Sequence, residues 1–454
     1  MMRSGCILSL CWLTVRLVGA TAAEPMTGLA SRVEAGRLAV RRPFNPPFWS
    51  YHAYQEAWRR WGVSERPADY SRAFRERYGL HEPPYENGGL PMGFTRPKGL
   101  LGIGRGLGSD CLLCHAGTIA GQTIVGMGNA SLDMQSLYED LAAADGVPPA
   151  MPLVLCNTRG TNEASNFAVY LMQFREPDLT YRVPPRKFPL CETLCEDVPA
   201  WWHVARKKTI YHLGLADSRS VRTLMPFLLI PGNGAAYVKE REGDFAAIRA
   251  FLLSLRPPRY PFPIDGALAE QGRLAFDRDC ARCHGTYGPG GRYPNKIVPL
   301  NVVGTDPTLA HAFSPEGVAH YLRSWFARER GPAGERFHGL GGGGYQAPPL
   351  DGIWATAPYF HNGSVPTLEG VLDSRIRPER FTRSFLGRVE DYDPRAIGHR
   401  FTRVAKPAPR SLPAIERRKV YDTTEPGRSN RGHTFGDDLP PSERTAILEY
   451  LKTL

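Results

Sequence analysis

Hydrophobic residues recur at helical spacing in three stretches of the chain. From Asp244 to Leu255 (DFAAIRAFLLSL) the apolar positions 245, 248, 251, 252 and 255 fall on one helical face. Gly266 to Asp279 also reads as an amphipathic helix, as does Ser442 to Leu454 (SERTAILEYLKTL), where Glu443 and Lys452 each suit their end of the helix dipole. Between the first two lies Arg256 to Pro263, with four prolines in eight residues. It predicts an extended linker, because each proline disfavours helix at its own position and at the one before. The chain therefore divides into two halves, each closed by an amphipathic helix. The lead-in before residue 110, rich in Trp, Tyr and Pro, has no periodicity that assigns it.

A length of 454 residues exceeds one small core and suits two domains. Gly and Pro are abundant, at 47 and 41 residues, so loops must make up much of the chain. Residues 1–22 read as a secretion signal: Arg3, an apolar run from Cys6 to Val18, and the small residues Ala20-Thr21-Ala22 as a cleavage site. The run is short and interrupted by Arg16, which argues against a membrane-spanning anchor. The expected location is periplasmic or secreted. Loss of Arg3 and Arg16 takes the net charge from +11 to +9. Export excludes nucleic acid as the reason for this basic balance, and leaves a solvated surface or docking to an acidic redox partner.

Two motifs carry chemistry, Cys111-Leu112-Leu113-Cys114-His115 and Cys280-Ala281-Arg282-Cys283-His284. In CxxCH the two thiols add across the vinyl groups of haem and the adjacent histidine reaches the iron. A zinc ribbon would need a second CxxC close by, whereas these stand 169 residues apart. The expectation is two covalent haem c groups, attached through Cys111, Cys114, Cys280 and Cys283, with His115 and His284 as proximal iron ligands. Three further cysteines, Cys156, Cys191 and Cys195, predict one disulfide and one thiol, with Cys191 to Cys195 able to close a short loop. The fold class expected is mainly α: two cytochrome c-like haem domains, 23–258 and 263–454, with long loops and a few short strands.

The sixth ligand of each iron decides function. No methionine follows His284, so the second unit offers histidines 311, 320, 338, 361, 399 and 433, a ligand from the other half, or none. For the first iron the candidates are Met127, Met134, Met151, Met172, Met225, His203 and His212, or an open site. An open site is what peroxide or dioxygen chemistry requires. No catalytic residue is assigned.

Several stretches look familiar: Asp279 to Gly288 (DCARCHGTYG), Tyr293 to Lys296, Gly304 to Pro307, Ala347 to Leu368 (APPLDGIWATAPYFHNGSVPTL) and Asp422 to Gly436 (DTTEPGRSNRGHTFG). They resemble the rubber-oxygenase-like dihaem cytochromes, relatives of the bacterial dihaem cytochrome c peroxidases. Patchier likeness covers Cys111 to Asp133, Arg159 to Asn162 and Trp201 to Gly214, in a chain shorter than a typical rubber oxygenase. The resemblance implies His433 as distal ligand of the second haem, with His361 as runner-up in a loop (Tyr359 to Gly363) packed nearby. It also implies a first haem that faces a substrate pocket, and an aromatic between the haems, at Trp201 or Trp202. The expected activity is electron transfer with dioxygen or peroxide, a small-molecule oxidant, at the first haem. The alternative is a pure electron carrier with both haems six-coordinate.

Overall fold

The computed structural model describes residues 28–96, 106–148, 151–337 and 341–454. The signal segment and His338 lie outside the described residues. Helix outweighs strand, 37% against 11%, so the fold is mixed, with long loops between short elements.

Four helices frame it: α1 (Gly28–Ala39), α2 (Glu242–Ser254), α3 (Gly266–Asp279) and α4 (Pro441–Leu451). Helix α2 lies within two residues of the stretch expected. It ends where Leu255 turns extended (φ −63°, ψ 145°) into the proline-rich linker. Helix α3 spans the expected residues from end to end, its first turn capped by Asp265, which accepts from the amides of Ala267 and Leu268. Helix α4 starts one residue early and stops three residues short of the chain end.

Helix α1, unassigned from sequence, packs along α2, and α4 packs along α3. Both pairs cross at a glycine. A Cβ on Gly36 would stand 2.0 Å from the carbonyl oxygen of Ala247, and one on Gly272 would stand 1.8 Å from that of Ala446. Each half is thus clasped by its first and last described helices, with backbones too close for any side chain at the crossing.

The aromatic lead-in now has a role. Trp49, Tyr54, Tyr70, Phe74, Tyr78 and Phe94 form a buried cluster that packs behind Leu113 in the first CxxCH motif. Strands β1 (Trp49–Ser50), β2 (Phe94–Thr95) and β3 (Gly106–Ser109) make a small antiparallel sheet in the order β1-β3-β2 and deliver the chain to Asp110. Strands β4 (Ala116–Ile119) and β5 (Gln122–Val125) follow the motif as a hairpin. Its two-residue turn, Ala120 and Gly121, has φ of 48° and 75°, the left-handed pair that matches strand twist.

The linker is packed rather than free. The indole of Trp354 donates to Pro258 O (2.9 Å), and the hydroxyl of Tyr260 donates to Pro394 O (2.8 Å). The second half also reaches back across the first. Arg418 donates to both carboxylate oxygens of the fully buried Asp133 at 3.1 Å, and Arg418 O accepts from the Arg159 amide.

The Cys191–Cys195 closure is not made. Both cysteines are thiols, as is Cys156, and the two side chains part company. Cys191 Sγ lies 3.8 Å from Thr193 Oγ1, whereas Cys195 is buried beside Arg428. Short spacing does not fix where thiols point.

Candidate functional site

Helix α3 runs straight into Cys280, and Ala281–His284 forms one further turn that ends at Gly285 (φ 86°). The half-buried His284 donates from Nδ1 to Pro348 O at 2.9 Å. A carbonyl can only accept, so this bond places the proton on Nδ1 and leaves a lone pair on Nε2. The Tyr287 hydroxyl donates to His284 O and accepts from the Leu350 amide, which ties the motif to the 348–351 segment.

The ring of His433 stands opposite, with centroids 6.1 Å apart and planes at 60°. Its placement is built from several contacts. His433 adopts a left-handed backbone (φ 46°), and its amide donates to Val303 O. Gly432 is required where the tail meets the turn at Gly304, since a Cβ there would stand 2.2 Å from Gly304 C. Arg377 clamps the same tail, donating to the carbonyls of Asn430, Gly432 and His433. Phe360 and Phe435 flank the His433 ring at 5.9 and 5.1 Å.

The first motif is positioned differently. Asp110 caps a short turn, Cys111–Leu113, by accepting from the Leu112 amide. Burial outweighs that bond and raises the Asp110 carboxyl to about 7. The hairpin then folds back, with Gly126 N donating to His115 O and Asn129 N to Cys114 O, both at 2.8 Å. Asn162 Nδ2 touches Cys114 Sγ at 2.8 Å. The His115 ring stacks on Trp201 (4.6 Å, 24°), and burial lowers it to about 4, so the imidazole is neutral. Next along the chain, Trp202 Nε1 and His203 Nε2 both donate to Asp351 O at 2.8 Å. Asp351 lies three residues beyond Pro348, the partner of His284. One stretch, Trp201 to His203, therefore spans from the first histidine to the frame of the second.

The other candidates go elsewhere. His212 donates to Asp197 O and His399 to Ala357 O. His361 stacks on Tyr345 at 3.9 Å and faces His212 at 6.3 Å, whereas His284 pairs with His433. His320 packs on Phe188, and His311 is exposed. Met127, Met172 and Met225 are core residues. Arg377, Pro348 and Asn162 hold the sites, and sequence reading missed all three.

The residues present fit haem. Among the described residues, no three His, Cys, Asp or Glu side chains converge as a metal cage. Three buried imidazole nitrogens lack a partner among these residues, His115 Nδ1, His320 Nε2 and His433 Nδ1, and two of the three belong to the candidate haem sites. Buried ring nitrogens rarely lack one, and orphans at both candidate sites are consistent with a group held there.

A family model described as RoxA-like, cytochrome c-like matches residues 344–382. That stretch supplies Pro348, Phe360 and Arg377, the collar of the second site. The chain resembles dihaem cytochromes of this kind. Two proteins of Sinorhizobium fredii (strain NBRC 101917 / NGR234) are similar to it. Uncharacterized protein y4iJ is 31% identical over 44% of this chain and 41% of its own length. Uncharacterized protein y4iM is 28% identical over 52% of this chain and 56% of its own. The chain spans about half the length of these curated relatives. Among solved structures, a MauG-like protein associated with microbial copper homeostasis is 17% identical, covers 64% of this chain and 88% of its own, and has a TM-score of 0.28.

Proposed function

We propose that this is an exported c-type cytochrome with two covalent haems, one a closed electron relay and the other the site of dioxygen or peroxide chemistry. The observation that carries it is the imidazole pair beside the second CxxCH. The His284 and His433 rings stand with centroids 6.1 Å apart, a separation that one ion would span with metal–nitrogen bonds of roughly 2 Å to each. In this reading Cys280 and Cys283 anchor the second haem and His284 and His433 ligate its iron. Two-histidine ligation lowers the potential relative to Met/His.

Cys111, Cys114 and His115 hold the first haem. Trp201 buttresses its histidine, and the ring pairing that closes the second site has no counterpart at His115 among the described residues. Haem supplies reversible one-electron chemistry and, where one face is open, binding of small oxidants. The Trp201–Trp202 step, from His115 to the Asp351 carbonyl, supports electron passage between the sites. The partner proposed is an acidic redox protein, in keeping with the net positive charge. No helix among the described residues is long and apolar enough to cross a membrane.

Mass spectrometry of the denatured mature chain tests the cofactor count: two haem increments are expected, and one is lost when Cys111 and Cys114 are both replaced by Ala. A single increment in the wild type overturns the two-haem reading. Carbon monoxide should bind one haem per chain in the wild type; that binding is lost in a His115 variant and kept in His433→Ala, where the opened second haem binds it as well. No binding in either redox state would leave a pure electron carrier.

A further inference from the structure

A narrow cleft lies at the join of the two halves, and its closed part has room for about one water-sized group. One wall is the loop 158–161, whose next residue, Asn162, touches Cys114. Another wall includes Pro358 and Gly363, which bracket Phe360, the neighbour of His433. The cleft therefore sits between the two candidate haem sites.

Two guanidinium groups line it, one from each half, on Arg159 and Arg383. Arg159 is only 5% exposed. It donates from Nε to Ser131 O and from Nη2 to Glu76 O, both at 2.9 Å. Arg383 donates to Ser384 O and Ala130 O. Both groups stack on one ring, Phe385, with guanidinium carbons 4.5 and 4.3 Å from its centroid. All these acceptors are neutral carbonyls. Arg159 Nη1 and Arg383 Nε have no acceptor, and neither side chain forms an ion pair among the described residues. Nearby carboxylates do not make up for this. Asp133 is engaged by Arg418, and Asp197 and Asp391 act on Arg383 only from beyond ion-pair contact. Lys419, also on the cleft, is already paired with Glu416.

Buried charges in proteins are paired, because taking an ion out of water is costly. Two like charges gathered on one ring, donors to spare, make an arrangement that one anion would complete. Burial pulls Arg159 to about 10 and Arg383 to about 9, both still cationic at neutral pH. A carboxylate matches two forked donors better than a spherical ion does.

We infer that Arg159 and Arg383 form an anion site for a single carboxylate between the two haem sites. The carboxylate comes either from a haem propionate, which rests on the two-haem reading, or from a small free acid. The test uses the holoprotein, with sodium formate as the free carboxylate and with Arg383→Gln and Arg383→Lys variants. If a propionate occupies the site, one haem potential falls in Arg383→Gln, where a cation beside it is lost. It largely recovers in Arg383→Lys, and formate changes nothing. If a free acid occupies it, formate raises the melting temperature of the wild type but not of Arg383→Gln, and the potentials hold. A folded Arg383→Gln with unchanged potentials, together with no formate response in the wild type, overturns the proposal. Should Arg383→Gln not fold, Arg159→Gln, which also removes a cation, is read by the same two measurements, with the same overturning result. Haem count by mass, taken on the same samples, separates failure of this site from failure of the two-haem reading.

Discussion

The two halves of the molecule close in the same way and open in different ways. Each ends in a helix that crosses the first described helix of its half at a glycine, Gly36 against Ala247 and Gly272 against Ala446. In the second half, α3 feeds directly into CxxCH, so the motif is a continuation of a packed helix. In the first, some seventy residues intervene, and the motif is a capped turn backed by an aromatic cluster and a hairpin. The histidines differ accordingly. His284 is fixed by a carbonyl and faces a second imidazole, whereas His115 lies flat on an indole. On the two-haem reading, the same attachment chemistry would be framed as a closed site in one half and with a different distal face in the other.

The shared closure is the most brittle feature. Gly272→Val and Gly36→Val should each abolish stable folding of their own half, beyond the roughly 1–3 kcal/mol of ordinary overpacking, because backbone rather than side chain would have to move. Soluble yield and haem per chain are the measurements. A Gly36→Val protein with wild-type melting would break the parallel between the halves.

The joint between the halves comes next. Asp133→Ala leaves Arg418 without its buried partner and removes a helix cap, at a cost of about 3–5 kcal/mol. The single urea transition expected for the wild type should then separate into two. If it stays single and unshifted, the halves are not coupled through this pair.

A third effect is confined to the first half. Burial holds His81, bonded to Asn129, at about 4, well below the ordinary value of 6.5. A depressed folded-state value means this contribution is present above about pH 6.5 and is lost as pH falls through about 4, amounting to roughly 3 kcal/mol. His81→Gln should therefore show a shallower loss of denaturation midpoint between pH 7 and pH 4.5 than the wild type. An unchanged slope would contradict it.

The smallest effect belongs to the second site. Arg377→Lys replaces a fork that reaches several carbonyls of the 430–433 tail with a single ammonium. A stability loss of about 1–2 kcal/mol is expected, with a spectral change in one haem only. Equal change in both haems would mean that the clamp is not specific to the His433 side.

These contrasts also show what could be read from the chain. Helices α2, α3 and α4 were legible because their apolar residues repeat at helical spacing. Helix α1 was not: Leu29 and Leu38 are exposed while Gly36 and Ala39 are buried, so small residues carry its contact. The two CxxCH motifs were visible because each is a contiguous pattern. The residues that aim the histidines were not, because Pro348 acts through its backbone carbonyl and Arg377 through the carbonyls of a tail some fifty residues away. The Cys191–Cys195 expectation failed for the same reason, since spacing is silent on direction.

Electron paramagnetic resonance of the ferric holoprotein, with and without cyanide, addresses the asymmetry of the two sites most directly. Two signals of equal weight are predicted. One is low-spin, indifferent to cyanide, and turns high-spin in His433→Ala. The other changes on cyanide addition and is unmoved by that substitution. Two low-spin signals, both indifferent to cyanide, or a His433→Ala spectrum identical to the wild type, would contradict the account.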